Sequence, residues 1–90
     1  MPEFDSDAVE PTLRLLYQSG VGISPGGIAA NLDDRMDDPP SRTAVLNGVR
    51  ELSETRFIRR LDDVESCYVI TDHGRDYVET ELDDEAPGLH

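Results

Sequence analysis

The chain has no lysine: its eight basic residues are all arginine, set against twenty Asp plus Glu, for a formal net charge of -12 over 90 residues. Cysteine is nearly absent too. Cys67 stands alone, which excludes an internal disulfide, and with His73 and His90 as the two histidines there is no Cys/His set for a structural zinc site. No metal and no cofactor is therefore expected. No window approaches the ~18 consecutive apolar residues of a membrane span, and the opening MPEFDSD is acidic where a secretory signal would be basic. These absences predict a cytoplasmic protein with no membrane partner. The chain also lacks a Ser/His/Asp or Cys/His arrangement, its acidic pairs read as solvated, and nothing near Cys67 would make it a thiolate, so no enzymatic activity is expected.

What the charge balance does suggest is a salt-rich cytoplasm. A chain this acidic repels itself and must bury much apolar surface to stay folded. At 1 M salt the Debye length is about 3 Å, which screens most of that repulsion. Acidic residues in every segment, together with missing lysine, fit a halophilic protein whose surface carboxylates hold water, potassium and other cations. The apolar residues, 37% of the chain, keep clear periodicity and suffice for one core, so a single domain over residues 1–90 is expected, with its ordered part at about 7–84.

The organising stretch is SRTAVLNGVRELSETRFIRRL, residues 41–61. Val45, Val49 and Leu52 recur at i, i+4 and i+7 and predict the buried stripe of a helix from Ser41 to about Glu54. Arg42, Thr43, Asn47 and Arg50 fall on the other side. Gly48 costs such a helix about 1 kcal/mol relative to alanine, which invites a reason such as close passage of another helix or of a DNA backbone, the bland alternative being simple drift. Thr55 and Arg56 must turn the chain at once into a strand over residues 57–61, and a positive φ at Arg56 would be a strained point.

Earlier in the chain, a first helix is predicted from near Asp7, with Asp7 and Glu10 spaced as a capping box, Val9, Leu13 and Leu16 buried, Tyr17 half-buried and Gly20 as terminator. A second begins at Ser24-Pro25, an N-cap followed by proline in the first turn, with Ile23 stapled to Ile28 and with Ile28, Ala29 and Leu32 facing the core. Ala29 and Ala30 would allow a neighbouring helix to come close. Gly26 and Gly27 lack the flanking strand and Lys-Ser/Thr of a phosphate loop. The segment DDRMDDPP, residues 33–40, leaves two possibilities: the second helix runs on to Met36, or it stops near Asp33 and a longer loop follows. Its four aspartates lack the ligand spacing of a calcium hand. After the strand, residues 62–66 predict a hairpin tip and residues 67–70 the returning strand. Thr71 caps a last helix reaching about Leu82, with Tyr77, Val78 and Leu82 apolar, and a polar tail follows from Asp83.

The strings IAANLD (residues 28–33), the helix of residues 41–52, FIRR (57–60) and above all YVITDHGRDY (68–77) are together similar to the haloarchaeal winged helix-turn-helix family typified by the repressor of halophage phi H. The resemblance covers roughly residues 7–84. It implies an α+β, mostly α fold: a three-helix core, a two-stranded wing hairpin and a C-terminal helix. It also implies a DNA-binding transcriptional regulator, repressor-like and working in high salt. Arg42 and Arg50 would then meet guanine edges or phosphates, Asn47 an adenine or a phosphate, and Thr43 a phosphate, while Arg59 and Arg60 hold backbone contacts from the wing. Taken singly, any of these is equally well read as a wet helix face; four beside two strand arginines carry the reading as a group. The partner is double-stranded DNA, and a homodimer would set two recognition helices about 34 Å apart. The alternative is a winged-helix protein-protein interaction module, favoured by the overall acidity, the acidic tip at Asp62, Asp63 and Glu65, and Leu46 on the exposed side of the third helix.

Overall fold

The computed structural model describes residues 4, 6–61 and 66–82. The remainder of the predicted hairpin tip, residues 62–65, and the tail from Asp83 lie outside the described residues. The fold is α+β and mostly helical, in the order α1 (Val9–Ser19), α2 (Pro25–Arg35), α3 (Arg42–Glu54), β1 (Ile58–Leu61), β2 (Cys67–Ile70) and α4 (Asp72–Tyr77), which continues as one π-helical turn, Val78–Leu82. No described helix is long and apolar enough to cross a membrane.

Three of the helix starts are set by hydroxyl caps. Ser24, Ser41 and Thr71 are extended, and each side chain accepts a hydrogen bond from the backbone N–H three residues on, at Gly27, Ala44 and Gly74, over 3.1, 3.1 and 3.0 Å. The start of α1 departs from expectation. Its first residue is preceded by a helical Ala8 with no side-chain cap, and the predicted Asp7/Glu10 box does not form. Glu10 instead pairs forward with Arg14 at 2.9 Å, while Ser6 takes the capping work: its Oγ accepts from Ala8 N–H at 3.1 Å and donates to the Ala44 carbonyl at 2.7 Å. Helix α2 runs to Arg35, and Met36 leaves it in extended conformation, close to the longer of the two predicted lengths.

One core joins α1, α2 and α3 to the hairpin and the C-terminal helix. The predicted stripes Val9, Leu13 and Leu16, Ile28 and Leu32, and Val45, Val49 and Leu52 are all buried, with Phe57, Ile58, Ile70, Val78 and Leu82 closing it from the other side. Leu15 and Thr12 are buried as well, so the buried face of α1 is wider than expected. Ala29 is half-buried against the core, as expected, and Ala30 is exposed. The close approach occurs at Gly48. A Cβ there would lie 3.3 Å from Ala8 C and Val9 N, so the glycine lets the start of α1 rest on α3.

The end of α3 is a Schellman turn. Phe57 N–H reaches back to the Leu52 carbonyl at 3.0 Å and Arg56 N–H to the Ser53 carbonyl at 3.1 Å, with Arg56 at φ 66°, the left-handed position that usually carries glycine. Arg56 does take the positive φ that would make it a strained point, and this explains how α3 turns into β1 within three residues. Strands β1 and β2 pair antiparallel, with Ile58 opposite Ile70, Arg59 opposite Val69, Arg60 opposite Tyr68 and Leu61 opposite Cys67. Ile23, expected as a helix staple, pairs as a strand: its N–H and C=O both bond Tyr68 at 2.9 Å, adding a one-residue third strand at the outer edge of β2. On the other side, Thr71 N–H bonds the Phe57 carbonyl at 3.0 Å, and the Thr71 hydroxyl lies 2.7 Å from the Arg56 carbonyl, tying α4 to the root of the hairpin.

Candidate nucleic-acid interface

Helix α3 presents two unlike sides because its apolar residues fall at helical spacing. Val45, Gly48, Val49 and Leu52 are buried, and Arg42, Thr43, Leu46, Asn47 and Arg50 are exposed. The helix thus gathers four of the six expected contact residues on one continuous solvent face over its first three turns. Among the described residues no carboxylate lies within ion-pairing distance of Arg42 or Arg50, nor of Arg59 or Arg60.

Each flank of the face is shaped by a neighbouring segment. On the α2 side, the Arg42 guanidinium lies over the first turn of α2, where a Cβ on Gly26 would come within 3.3 Å of Arg42 Nη2. That placement sets the Arg42 cation beside the N-terminus of α2, where backbone N–H groups also favour an anion. On the opposite flank, Asn47 and Arg50 line a shallow depression with Ser6, Asp7, Ala44 and Glu51. Ser6 N–H donates to Glu51 Oε2 at 2.9 Å, which turns that carboxylate toward the N-terminal segment. The contribution of Ser6, Asp7 and Gly26 to this face is not readable in the sequence, since it depends on segments distant along the chain crossing α3.

The two strand arginines are both exposed, but they do not form a pair. Successive side chains of a strand point to opposite faces. Arg60 shares its face with Ile58, Tyr68 and Ile70, the core side of the hairpin, whereas Arg59 stands on the outer face with Leu61, Cys67 and Val69. Arg59 and Arg60 thus project from opposite faces of the hairpin.

Behind this interface the root of the hairpin is stiffened by rings. Phe57 stacks on Tyr77 with centroids 4.5 Å apart, His73 lies 4.8 Å from the same ring, and Phe4 meets its edge at 6.3 Å. Burial, with the Glu81 and Glu10 carboxylates adding to it, raises the Tyr77 phenol above its ordinary 10.0. The phenol is therefore neutral at any physiological pH, a packing group rather than a proton carrier. Tyr17 donates to Glu79 at 3.0 Å and Arg14 to the Leu82 carbonyl at 3.3 Å, which fastens the C-terminal turn to α1. No protein-family model, curated protein or solved structure matches the chain.

Proposed function

We propose that the chain is a winged helix-turn-helix, sequence-specific DNA-binding regulator of transcription, repressor-like, with α3 as recognition helix and the β1–β2 hairpin as wing. The observation that carries this reading is the exposed face of α3, where Arg42, Thr43, Asn47 and Arg50 stand together with neither arginine paired to a carboxylate among the described residues. A helix of 13 residues is about 20 Å long, enough to lie in a major groove with its N-terminal half against base edges. Asn47 and Arg50 carry the side-chain types that pair two-fold with adenine and with guanine. Arg42 and Thr43, at the helix start and beside the N-terminus of α2, suit phosphates. Arg59 and Arg60 add backbone contacts from the wing, one from each of its faces. Double-stranded DNA is the partner, in a cytoplasm rich in potassium.

The charge of -12 is reconciled with a polyanionic partner by salt. In molar KCl the entropy of counterion release is small, so binding rests on direct contacts and dehydration, and cations can bridge the Asp33, Asp34, Asp37 and Asp38 carboxylates to phosphates. Selection from a random duplex library in molar KCl tests the proposal. Enriched palindromic half-sites are expected, with affinity holding or rising as KCl goes from low to molar. Asn47→Ala and Arg50→Ala should each weaken binding by about 1–3 kcal/mol and relax one base position. A second reading, a protein-interaction module, draws on the exposed Leu46 in the middle of the same face. It would be supported by no enriched duplex together with a stable hetero-complex that Leu46→Ala disrupts, and a steep loss of DNA binding in molar KCl would sink the regulator proposal.

A further inference from the structure

We infer that Leu46 is a base-reading residue that takes a thymine methyl group in the major groove, an assignment that rests on the DNA-binding reading above. Leu46 is 47% exposed, one of two large hydrophobics left in solvent among the described residues; the other, Val21 at 58%, lies in the loop between α1 and α2. Its position on α3 is specific. Arg42 is four residues before it, Thr43 three before, Asn47 one after and Arg50 four after, so the leucine occupies the middle of the polar face rather than its apolar margin. The four polar neighbours are exposed as it is.

A protein-binding patch would join Leu46 to other apolar side chains, since contiguous area is what such a surface buries. Here its helical neighbours on the exposed side are two guanidinium groups, a hydroxyl and an amide. That composition matches the edge of a base-pair run in the major groove, which presents acceptors and donors interrupted by one kind of apolar group, the C5-methyl of thymine. Arg42 and Arg50 supply the charge complement to the flanking phosphates or guanines, and Leu46 fills the space between them that a polar side chain would leave hydrated. The expected half-site therefore holds a thymine between the positions contacted from the two ends of the helix.

The test uses the full chain and the duplex enriched by selection in molar KCl, with each thymine replaced in turn by deoxyuridine, which removes only the methyl group. Wild-type protein should lose about fourfold in affinity at one thymine per half-site, the amount expected for one buried methyl-sized group. Leu46→Ala, an exposed substitution whose folding is checked by its melting curve, should bind the unmodified duplex about fourfold more weakly. It should lose nothing further on deoxyuridine substitution at that position. If wild type binds every deoxyuridine duplex as well as the parent, or if Leu46→Ala keeps the same methyl penalty, the assignment is overturned while DNA binding stands. If no duplex is enriched at all, the DNA-binding reading falls first and this inference with it.

Discussion

Gly74→Ala should damage this protein far more than Gly48→Ala, although both replace a buried helical glycine and both gain about 1 kcal/mol of helix propensity. At Gly74 the added Cβ would overlap the carbonyl oxygen of Phe57 and stand 3.0 Å from its carbonyl carbon and 2.8 Å from Ile70 Cγ1. Two of these three atoms are backbone and cannot rotate away. The same Phe57 carbonyl accepts from Thr71 N–H, so pushing it aside also loosens the bond that ties α4 to the hairpin root. Overpacking of a tight site costs about 1–3 kcal/mol, occasionally more, and a disturbed hydrogen bond adds about 1. Net of the propensity gain, Gly74→Ala should lose about 1–3 kcal/mol. At Gly48 the nearest atoms, Ala8 C and Val9 N, are 3.3 Å from the new Cβ, and a shift of a few tenths of an ångström at the start of α1 relieves them. Gly48→Ala should accordingly stay within about 1 kcal/mol of wild type. Urea unfolding in molar KCl, read by circular dichroism with the slope checked between variants, measures both. For a domain of this size the gap corresponds to a melting difference on the order of 10 °C. Equal stability of Gly74→Ala and wild type, or a larger loss at Gly48, would refute the packing seen at the hairpin root.

Three other outcomes follow from single residues. Arg56→Gly should raise stability by about 1 kcal/mol, because the left-handed turn strains any residue with a Cβ and Arg56 is exposed without an ion-pair partner among the described residues; an unchanged or lower urea midpoint would show the turn is not strained. Thr12→Val should also stabilise, by about 1 kcal/mol, since the Thr12 side chain is fully buried and its Oγ1 has no hydrogen-bond partner among the described residues. Destabilisation there would mean the hydroxyl is bonded. The Tyr77 contribution to stability should be constant up to the ordinary phenol value of 10.0 and be lost above it, because the unfolded chain releases the Tyr77 proton first while the folded phenol is held above that value. Tyr77→Phe should remove that alkaline contribution, and phenolate absorbance in the folded wild type should place the Tyr77 transition above its ordinary value.

The helical core was legible because periodicity is a local property. Val45, Val49 and Leu52, Ser24 followed by Pro25, and Thr71 ahead of α4 each announce their element within a few residues, and all are found in those roles. Arg56 was legible for a different reason: a helix and a strand separated by so few residues leave the chain no other way to turn. What could not be read depended on contacts between distant segments. Ser6 replaces Asp7 at the start of α1 because its hydroxyl finds the Ala44 carbonyl, 38 residues away. Ile23 becomes a third strand only where Tyr68 supplies both backbone partners, and one residue has no period to detect. The C-terminal helix was expected as uniform, and its π turn at Val78–Leu82 has no composition signal of its own. On α3, helical spacing placed Arg42, Thr43, Asn47 and Arg50 on one exposed face, and strand alternation separates the consecutive Arg59 and Arg60 onto opposite faces.

The most direct measurement is a backbone amide chemical-shift titration of the protein with its enriched duplex in molar KCl. Shifts should concentrate at Arg42, Thr43, Leu46, Asn47 and Arg50 of α3, extend to the first turn of α2 around Gly26 and to Arg59 or Arg60, and leave the buried face of α1 unmoved. A titration without shifts on α3, or with shifts centred on Tyr77 and the C-terminal turn instead, would contradict DNA recognition by this face.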